Sequence, residues 1–318
     1  MLDLPGAVAV PDESVDAVAV PTQRRVAWHY GDPLGEQRRL ERGEGFVDLS
    51  QREFVRVGGP DRSTWLHTLT TQHLSEPAPN VWTEALVLSP NGHVEHHLHL
   101  VDDGTAAWAH VEPGTAADLI SYLDSMKFWS EVTVDDVTDE VAVVWQPGPG
   151  GFVDGAYTLV PRADLPDWAA AHGSAAGLWA FEALRVAAGR ARHRHETDHR
   201  TIPHEVGWIG VAVHLDKGCY RGQETVARVH NLGQPPRRLV LLHLDGSAAQ
   251  LPEPGDLVML DGRSVGFVGT VAQHHELGPI ALALVKRKVP ADVDLLVRTR
   301  TGQDVAAGQE PAAAATRV

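Results

Sequence analysis

Two periods of apolar spacing alternate along the chain. Helical spacing places Trp65, Leu66 and Leu69 on one stripe, Leu119, Ile120, Leu123 and Met126 on a second, and Leu178, Phe181, Leu184 and Ala188 on a third. These stripes predict a helix opened and capped by Asp61, one over 115–126 and one over 177–188 that stops at Gly189. Pro166 opens a shorter helix, since proline suits a first helical turn. Between them, strand-like runs cover 46–49, 54–57, 82–88, 93–101, 106–111, 132–134 and 141–145. Ser89-Pro90-Asn91-Gly92 predicts a hairpin between the third and fourth of these runs. A further hairpin is expected over 152–161, after a flexible Pro147-Gly148-Pro149-Gly150-Gly151 connection.

From about Arg237 the texture becomes short β runs at 239–244, 257–260, 265–271, 280–285 and 293–297. Asp245-Gly246, Asp261-Gly262 and Leu277-Gly278-Pro279 divide them, which predicts a small all-β barrel or sandwich. The stretch after Val305, rich in Ala, Gly, Gln and Glu, is expected to be disordered. Residues 1–25 repeat Ala-Val-Ala-Val-Pro at 7–11 and 17–21. Prolines and acids rule out a long helix there, leaving an edge segment or short strands packed on the body.

Composition narrows the function classes. A chain of 318 residues calls for two or three structural units. The formal net charge of -15 argues against a general nucleic-acid binder, which needs clustered Lys and Arg. One cysteine allows no internal disulfide and no thiolate zinc site, so a reducing cytoplasm is expected. No apolar run reaches the roughly 20 residues that span a bilayer.

Three stretches carry candidate chemistry. Lys217-Gly218-Cys219-Tyr220-Arg221-Gly222-Gln223-Glu224 holds the lone cysteine between two glycines and two cations. Glycine lets backbone approach a ligand closely, and a positive field favours a thiolate over the ~8.5 of a model thiol. A buried apolar cysteine in a turn is the plainer reading. Gly222 then opens a helix with acid in its first turn, whose backbone donors could face an anionic group. The second stretch is His93-Val94-Glu95-His96-His97-Leu98-His99, where strand alternation puts His93, Glu95, His97 and His99 on one face. Such a face could hold zinc, iron or copper for a hydrolase, or be a solvated histidine-rich face; no metal site is assigned. The third, His193 to Glu205, is too polar for a core element and reads as a solvated loop or the wall of a polar site.

The octet, followed by Ala227-Arg228, resembles the signature of the YgfZ-type folate-binding proteins, relatives of the glycine-cleavage T-protein, an aminomethyltransferase. Val57-Gly58-Gly59-Pro60-Asp61 with Trp65-Leu66, Arg185 to Gly189, Ile202 to Gly207 and the β-rich end are similar to further parts of that family. The resemblance implies an α+β fold, a T-protein-like ring of three subdomains around a central channel with a C-terminal β-barrel. It implies a variable segment over 1–25, a folate-binding region of two subdomains over 26–236, a barrel over 237–306 and a tail over 307–318.

The implied cofactor is tetrahydrofolate or a one-carbon derivative, and the implied partners are iron-sulfur client enzymes, with no direct nucleic acid and no membrane. The implied role is accessory, in the assembly or repair of iron-sulfur clusters; the alternative is aminomethyl or one-carbon transfer. The implied reactive group is Cys219, with Lys217 beside it. Candidate folate contacts are Glu205, Glu95, Arg185, Gly218, Tyr220, Gly222, Gln223 and Glu224, with Lys217, Arg228 and Arg237 for the anionic glutamate tail. T-proteins carry an acidic pair where this chain has Glu95-His96, and a glutamate in Arg-x-Glu-Ala-Gly where it has Ala187.

Overall fold

The structure is a computed structural model, and it describes residues 1–12, 20, 24–149 and 151–312. The chain divides into two compact units. The first is Met1–Leu88, Glu95–Phe181 and Val211–Arg221; the second is Ser89–Val94, Glu182–Gly210 and Gly222–Val318.

The first unit begins with β1 (Val8–Ala9), which pairs with β2 (Ala27–His29), one of the two options open for residues 1–25. The second Ala-Val-Ala-Val-Pro copy lies outside the described residues except Val20. Helix α1 (Pro33–Glu41) has no apolar stripe strong enough to announce it, yet its signals are local: Asp32 accepts from Gly35 N at 2.9 Å and Pro33 fills the first turn. Then come β3 (Phe46–Asp48), β4 (Glu53–Gly58) and α2 (Arg62–Leu69). Asp61 stands at the start of α2 but does not cap it through its side chain, which accepts from Glu131 N at 2.8 Å instead.

Strands β5 (Thr83–Leu88) and β6 (Val94–Asp102) form the expected hairpin, followed by β7 (Ala106–Val111), α3 (Ala116–Ser125), β8 (Thr133–Asp136) and β9 (Val141–Gly148). The stretch 152–161 is not a hairpin of its own. It is one strand, β10 (Gly151–Pro161), that returns antiparallel along β9, so the Pro-Gly connection is the hairpin tip. Gly150 lies outside the described residues. Helix α4 (Leu165–Ala171), β11 (Ala175–Ala176) and α5 (Leu178–Ala187) follow.

Besides the β1-β2 pair, two larger sheets form, in the orders β5-β6-β7-β4-β8 and β10-β9-β3-β11. One face of the five-stranded sheet carries Val55, Val57, Leu98, Leu100 and Ala109, which pack on Trp65 and Leu66 of α2 and Leu119 and Leu123 of α3. Alternation along each strand delivers that apolar face, and the i, i+3, i+4 spacing of the helices delivers its cover.

In the second unit, α6 (Gln223–Leu232) precedes β12 (Arg237–Leu244), β13 (Leu257–Leu260), β14 (Arg263–His274), β15 (Gly278–Lys286), β16 (Leu295–Arg298) and β17 (Asp304–Pro311). They close a six-stranded barrel in the order β12-β15-β14-β13-β16-β17 around Val240, Leu242, Val268, Ala283, Val297 and Val305. The stretch after Val305 is therefore not a disordered tail as far as Pro311. It is the strand that seals the barrel by pairing with both β12 and β16. Residues 313–318 lie outside the described residues. Among the described residues, no helix is long and apolar enough to cross a membrane.

Candidate functional site

The loop after Gly210 is pinned to the C-terminal end of α2. Thr71 Oγ1 donates to Ala212 O at 2.6 Å, Gln72 Nε2 to Val211 O at 2.9 Å, and His214 N to Thr71 O at 3.0 Å. The Lys217 ammonium, 4% exposed, donates to Thr70 O at 2.5 Å and to His67 O. A helix leaves its last carbonyls unpaired at the negative end of its dipole, so a buried ammonium is well placed there. Burial pulls Lys217 down from 10.5 to about 8 and pushes the Tyr220 phenol up to about 12. The Lys217 Nζ stands 5.2 Å from the Tyr220 ring centroid.

Cys219 is exposed, between these two buried neighbours. The reading of a buried apolar cysteine fails on that exposure. The two expected cations are both engaged: Lys217 by the carbonyls, and Arg221 by Glu95, with Nη1 to Oε2 at 2.9 Å. Arg221 also lies 5.5 Å over the Tyr122 ring, so one guanidinium joins the Glu95 carboxylate to an aromatic face. In this unit the structure thus brings together Lys217, Gly218, Cys219, Tyr220, Arg221 and Glu95, and adds Tyr122, which carried no signal in sequence beyond its ring.

The remaining expected residues belong to the second unit. Gly222 has φ +81°, and a Cβ there would meet Ser89 O at 2.6 Å and Gly92 Cα at 2.9 Å. Its freedom serves the packing of the Ser89–Gly92 turn. Gln223 and Glu224 open α6, and Arg228 lies within it.

His193 to Glu205 is not a solvated loop. His193, Glu196, Thr197, Thr201 and Glu205 are buried, as is Arg192 just before them. The reason is charge pairing. Arg185 donates to Glu182 Oε2 at 2.9 and 2.7 Å and to Glu196 Oε2 at 3.2 Å; Arg192 pairs with Glu182 at 2.9 Å. Glu196 also accepts from Arg192 N at 2.7 Å and from Thr270 N and Oγ1 at 2.8 and 2.6 Å. Burial pushes the Glu182 carboxyl up, but the guanidiniums of Arg185 and Arg192 outweigh it and hold the group well below its ordinary range.

Glu205 is engaged by Arg237 Nε and Nη2, both at 2.8 Å, and by Ile202 N at 3.1 Å; Arg237 clamps Asp198 at 2.7 and 3.0 Å as well. Both Arg185 and Glu205, expected as ligand contacts, are braced within their own unit by paired charges.

Burial varies along the histidine strand. Glu95 is exposed and paired with Arg221, whereas His97, and His110 on the neighbouring strand, are buried. His97 Nε2 lies 2.9 Å from Glu84 Oε2 on β5, and His99 stacks on His110 of β7, ring centroids 4.7 Å apart. Burial pushes the imidazoles of His99 and His110 well below their ordinary range.

Residues 237–311 match the model of the glycine cleavage T-protein C-terminal barrel domain. Over 315 aligned residues, covering 85% of this chain and 84% of the relative, the chain is 31% identical to an aminomethyltransferase of Rubrobacter xylanophilus. The chain belongs to the aminomethyltransferase, or glycine-cleavage T-protein, family. It is 25% identical over 271 residues to a chloroplastic protein of Arabidopsis thaliana named as a transferase, and spans 61% of that protein's length. Its fold is that of the T-proteins: the crystal structure of the glycine cleavage system aminomethyltransferase T from Bartonella henselae superposes with a TM-score of 0.76 at 17% identity, covering 97% of this chain and 94% of that one. Within the family, the barrel of β12–β17 is the segment that the domain model recognises, and the cysteine loop lies outside it.

Proposed function

We propose that this chain is a YgfZ-type member of the T-protein family. It binds tetrahydrofolate or a one-carbon derivative, and it supports the assembly or repair of iron-sulfur clusters in client enzymes of the cytoplasm. We place the folate-binding region in 26–236, ahead of the barrel, with Cys219 as the reactive group. The observation that carries the reading is an exposed thiol on a loop whose neighbours, Lys217 and Tyr220, are buried and fixed. A solvent-facing cysteine on a rigid support is a chemical handle rather than a packing residue.

The residues present fit a folate in kind. The Glu95 carboxylate and the Arg221 guanidinium, paired with each other beside the Tyr122 ring but partly open to solvent, offer an acceptor and a donor to the polar edge of a pteridine. We assign Arg185 and Glu205 a bracing role within the second unit, since their charged atoms are buried as well as paired. One cysteine cannot hold a cluster as four do, so Cys219 acts by transient ligation or thiol exchange. In exchange, its thiolate attacks one sulfur of a partner's disulfide, a mixed disulfide forms, and the partner's other sulfur leaves as thiolate.

Calorimetric titration with tetrahydrofolate and its formyl and methyl forms tests the binding half. Saturable binding that weakens in Glu95→Gln is expected; no binding by the wild type refutes it. Alkylation of the native protein tests the other half. One equivalent of label at Cys219 is expected, and iron-sulfur enzyme activity in cells should fall with Cys219→Ala. Unchanged activity would remove the accessory role.

A second reading, aminomethyl transfer, is favoured by the Rubrobacter relative's name. It assigns the acid-base role to Glu95. Turnover with a methylamine donor and tetrahydrofolate would support it, and turnover surviving Glu95→Gln would take that role from Glu95.

A further inference from the structure

A row of histidines crosses one face of the five-stranded sheet in the first unit. His97 and His99 sit two residues apart on β6, so they share a face. His110 of β7 lies opposite His99 in register, and Glu84 comes from β5 on the other side. One donor atom each from Glu84, His97 and His99 lie within 4.8 Å of one another. The His97 and His99 ring centroids are 4.6 Å apart. Tyr157 of β10 closes the layer, 5.4 Å from His99 and 4.8 Å from His110.

This is an unusual content for the inside of a sheet face. Burying imidazoles without full hydrogen bonding costs free energy, and His110 Nε2 is buried with no hydrogen-bond partner. The nearby positive charge is balanced: Arg52 reaches His110 Nδ1 at 3.3 Å and pairs with Glu112 at 3.4 Å. What remains is two imidazoles and a carboxylate whose donor atoms gather within 4.8 Å of one another. From these observations we propose that Glu84, His97 and His99 bind a divalent first-row transition-metal ion.

Two nitrogens and one carboxylate oxygen form the ligand set that suits Zn2+ and its neighbours in the first row. Bonds of about 2.0–2.2 Å hold tetrahedral donors roughly 3.3 Å apart, so the present spread closes by side-chain rotations of about an ångström. The ion replaces the His97–Glu84 hydrogen bond. The stacked His110 and Tyr157 rings then hold His99 in place, as outer groups commonly orient a metal ligand. Three protein ligands leave a coordination position open to water or a small anion. The set draws Glu84 from a neighbouring strand and leaves out Glu95, so it is not the four-residue strand face that alternation alone suggests.

The test uses the full chain without an affinity tag, stripped with a chelator and dialysed. Titration with Zn2+, and with Co2+ followed by its visible absorption, should show one tight equivalent. Glu84→Gln and His99→Gln should each weaken it at least about tenfold, while His172→Gln, at an exposed position, leaves it unchanged. Zn2+ should also raise the unfolding temperature of the wild type and not that of Glu84→Gln, because binding to the native state alone stabilises it. Glu84 is half-buried, so that variant keeps the test open if His99→Gln folds poorly. Absence of a stoichiometric site, or binding that survives Glu84→Gln, overturns the proposal.

Discussion

Glu196→Gln isolates the buried charge network of the second unit. Glu196 is fully buried and makes four contacts: Arg185 Nη1, Arg192 N, Thr270 N and Thr270 Oγ1. Glutamine keeps the shape and one oxygen, so the Thr270 contacts can survive. The other oxygen becomes an amide nitrogen that faces two donors, Arg192 N and Arg185 Nη1. Removing one partner of a buried ion pair costs about 3–5 kcal/mol. The orphaned Arg192 N–H, worth about 1–3 kcal/mol alone, overlaps with that figure rather than adding to it.

The control is Asp304→Asn. Asp304 accepts from Arg298 at 2.8 Å twice, but both side chains lie open to solvent that screens the pair, so hardly any change is expected. Urea unfolding of the full chain, followed by far-ultraviolet circular dichroism, reads both. With an m-value of about 3 kcal/mol/M, the Glu196→Gln midpoint should fall by about 1–1.7 M. A fall no larger than that of Asp304→Asn would refute the view that paired charges hold 192–205 in the core.

Two further outcomes follow from the cysteine loop. Lys217 has its folded-state pKa lowered by burial to about 8, so from there to about 10.5 the unfolded chain binds more protons. Stability should therefore rise with pH across that window, and Lys217→Met should lose the rise; identical pH profiles by urea unfolding would contradict the placement of the ammonium. Gly222→Ala adds about 1–2 kcal/mol of left-handed strain to a Cβ clash with Ser89 O at 2.6 Å, whereas a Cβ at Gly218 meets nothing within 4 Å. Thermal unfolding should drop by several degrees for Gly222→Ala and hardly move for Gly218→Ala; equal drops would count against the turn packing.

Much of the architecture was legible locally. The Ser89–Gly92 turn, the stripe of Leu178, Phe181 and Leu184, and the glycine-punctuated runs from 239 to 297 each state their element within a few residues. The octet pointed to the family before any coordinate did. The misses share a cause. Strand β17 alternates buried Val305 and Ala307 with exposed neighbours and ends polar, so its composition resembles a tail. Only pairing with β12, more than sixty residues earlier in sequence, makes it a strand.

By itself, the sequence determined the three striped helices, most of the strands, the β-rich end and the cysteine motif. Periodicity and turn chemistry act between residues a few positions apart, so they are written in one dimension. Tertiary structure decided which charges are buried. Glu196 meets Thr270 across 74 positions, and Lys217 meets the end of α2 across about 150. It also decided that His99 finds His110 rather than solvent, and that Arg221 rather than water takes Glu95. A buried charge is tolerable only when a distant partner arrives to satisfy it, and no local pattern carries that partner's address.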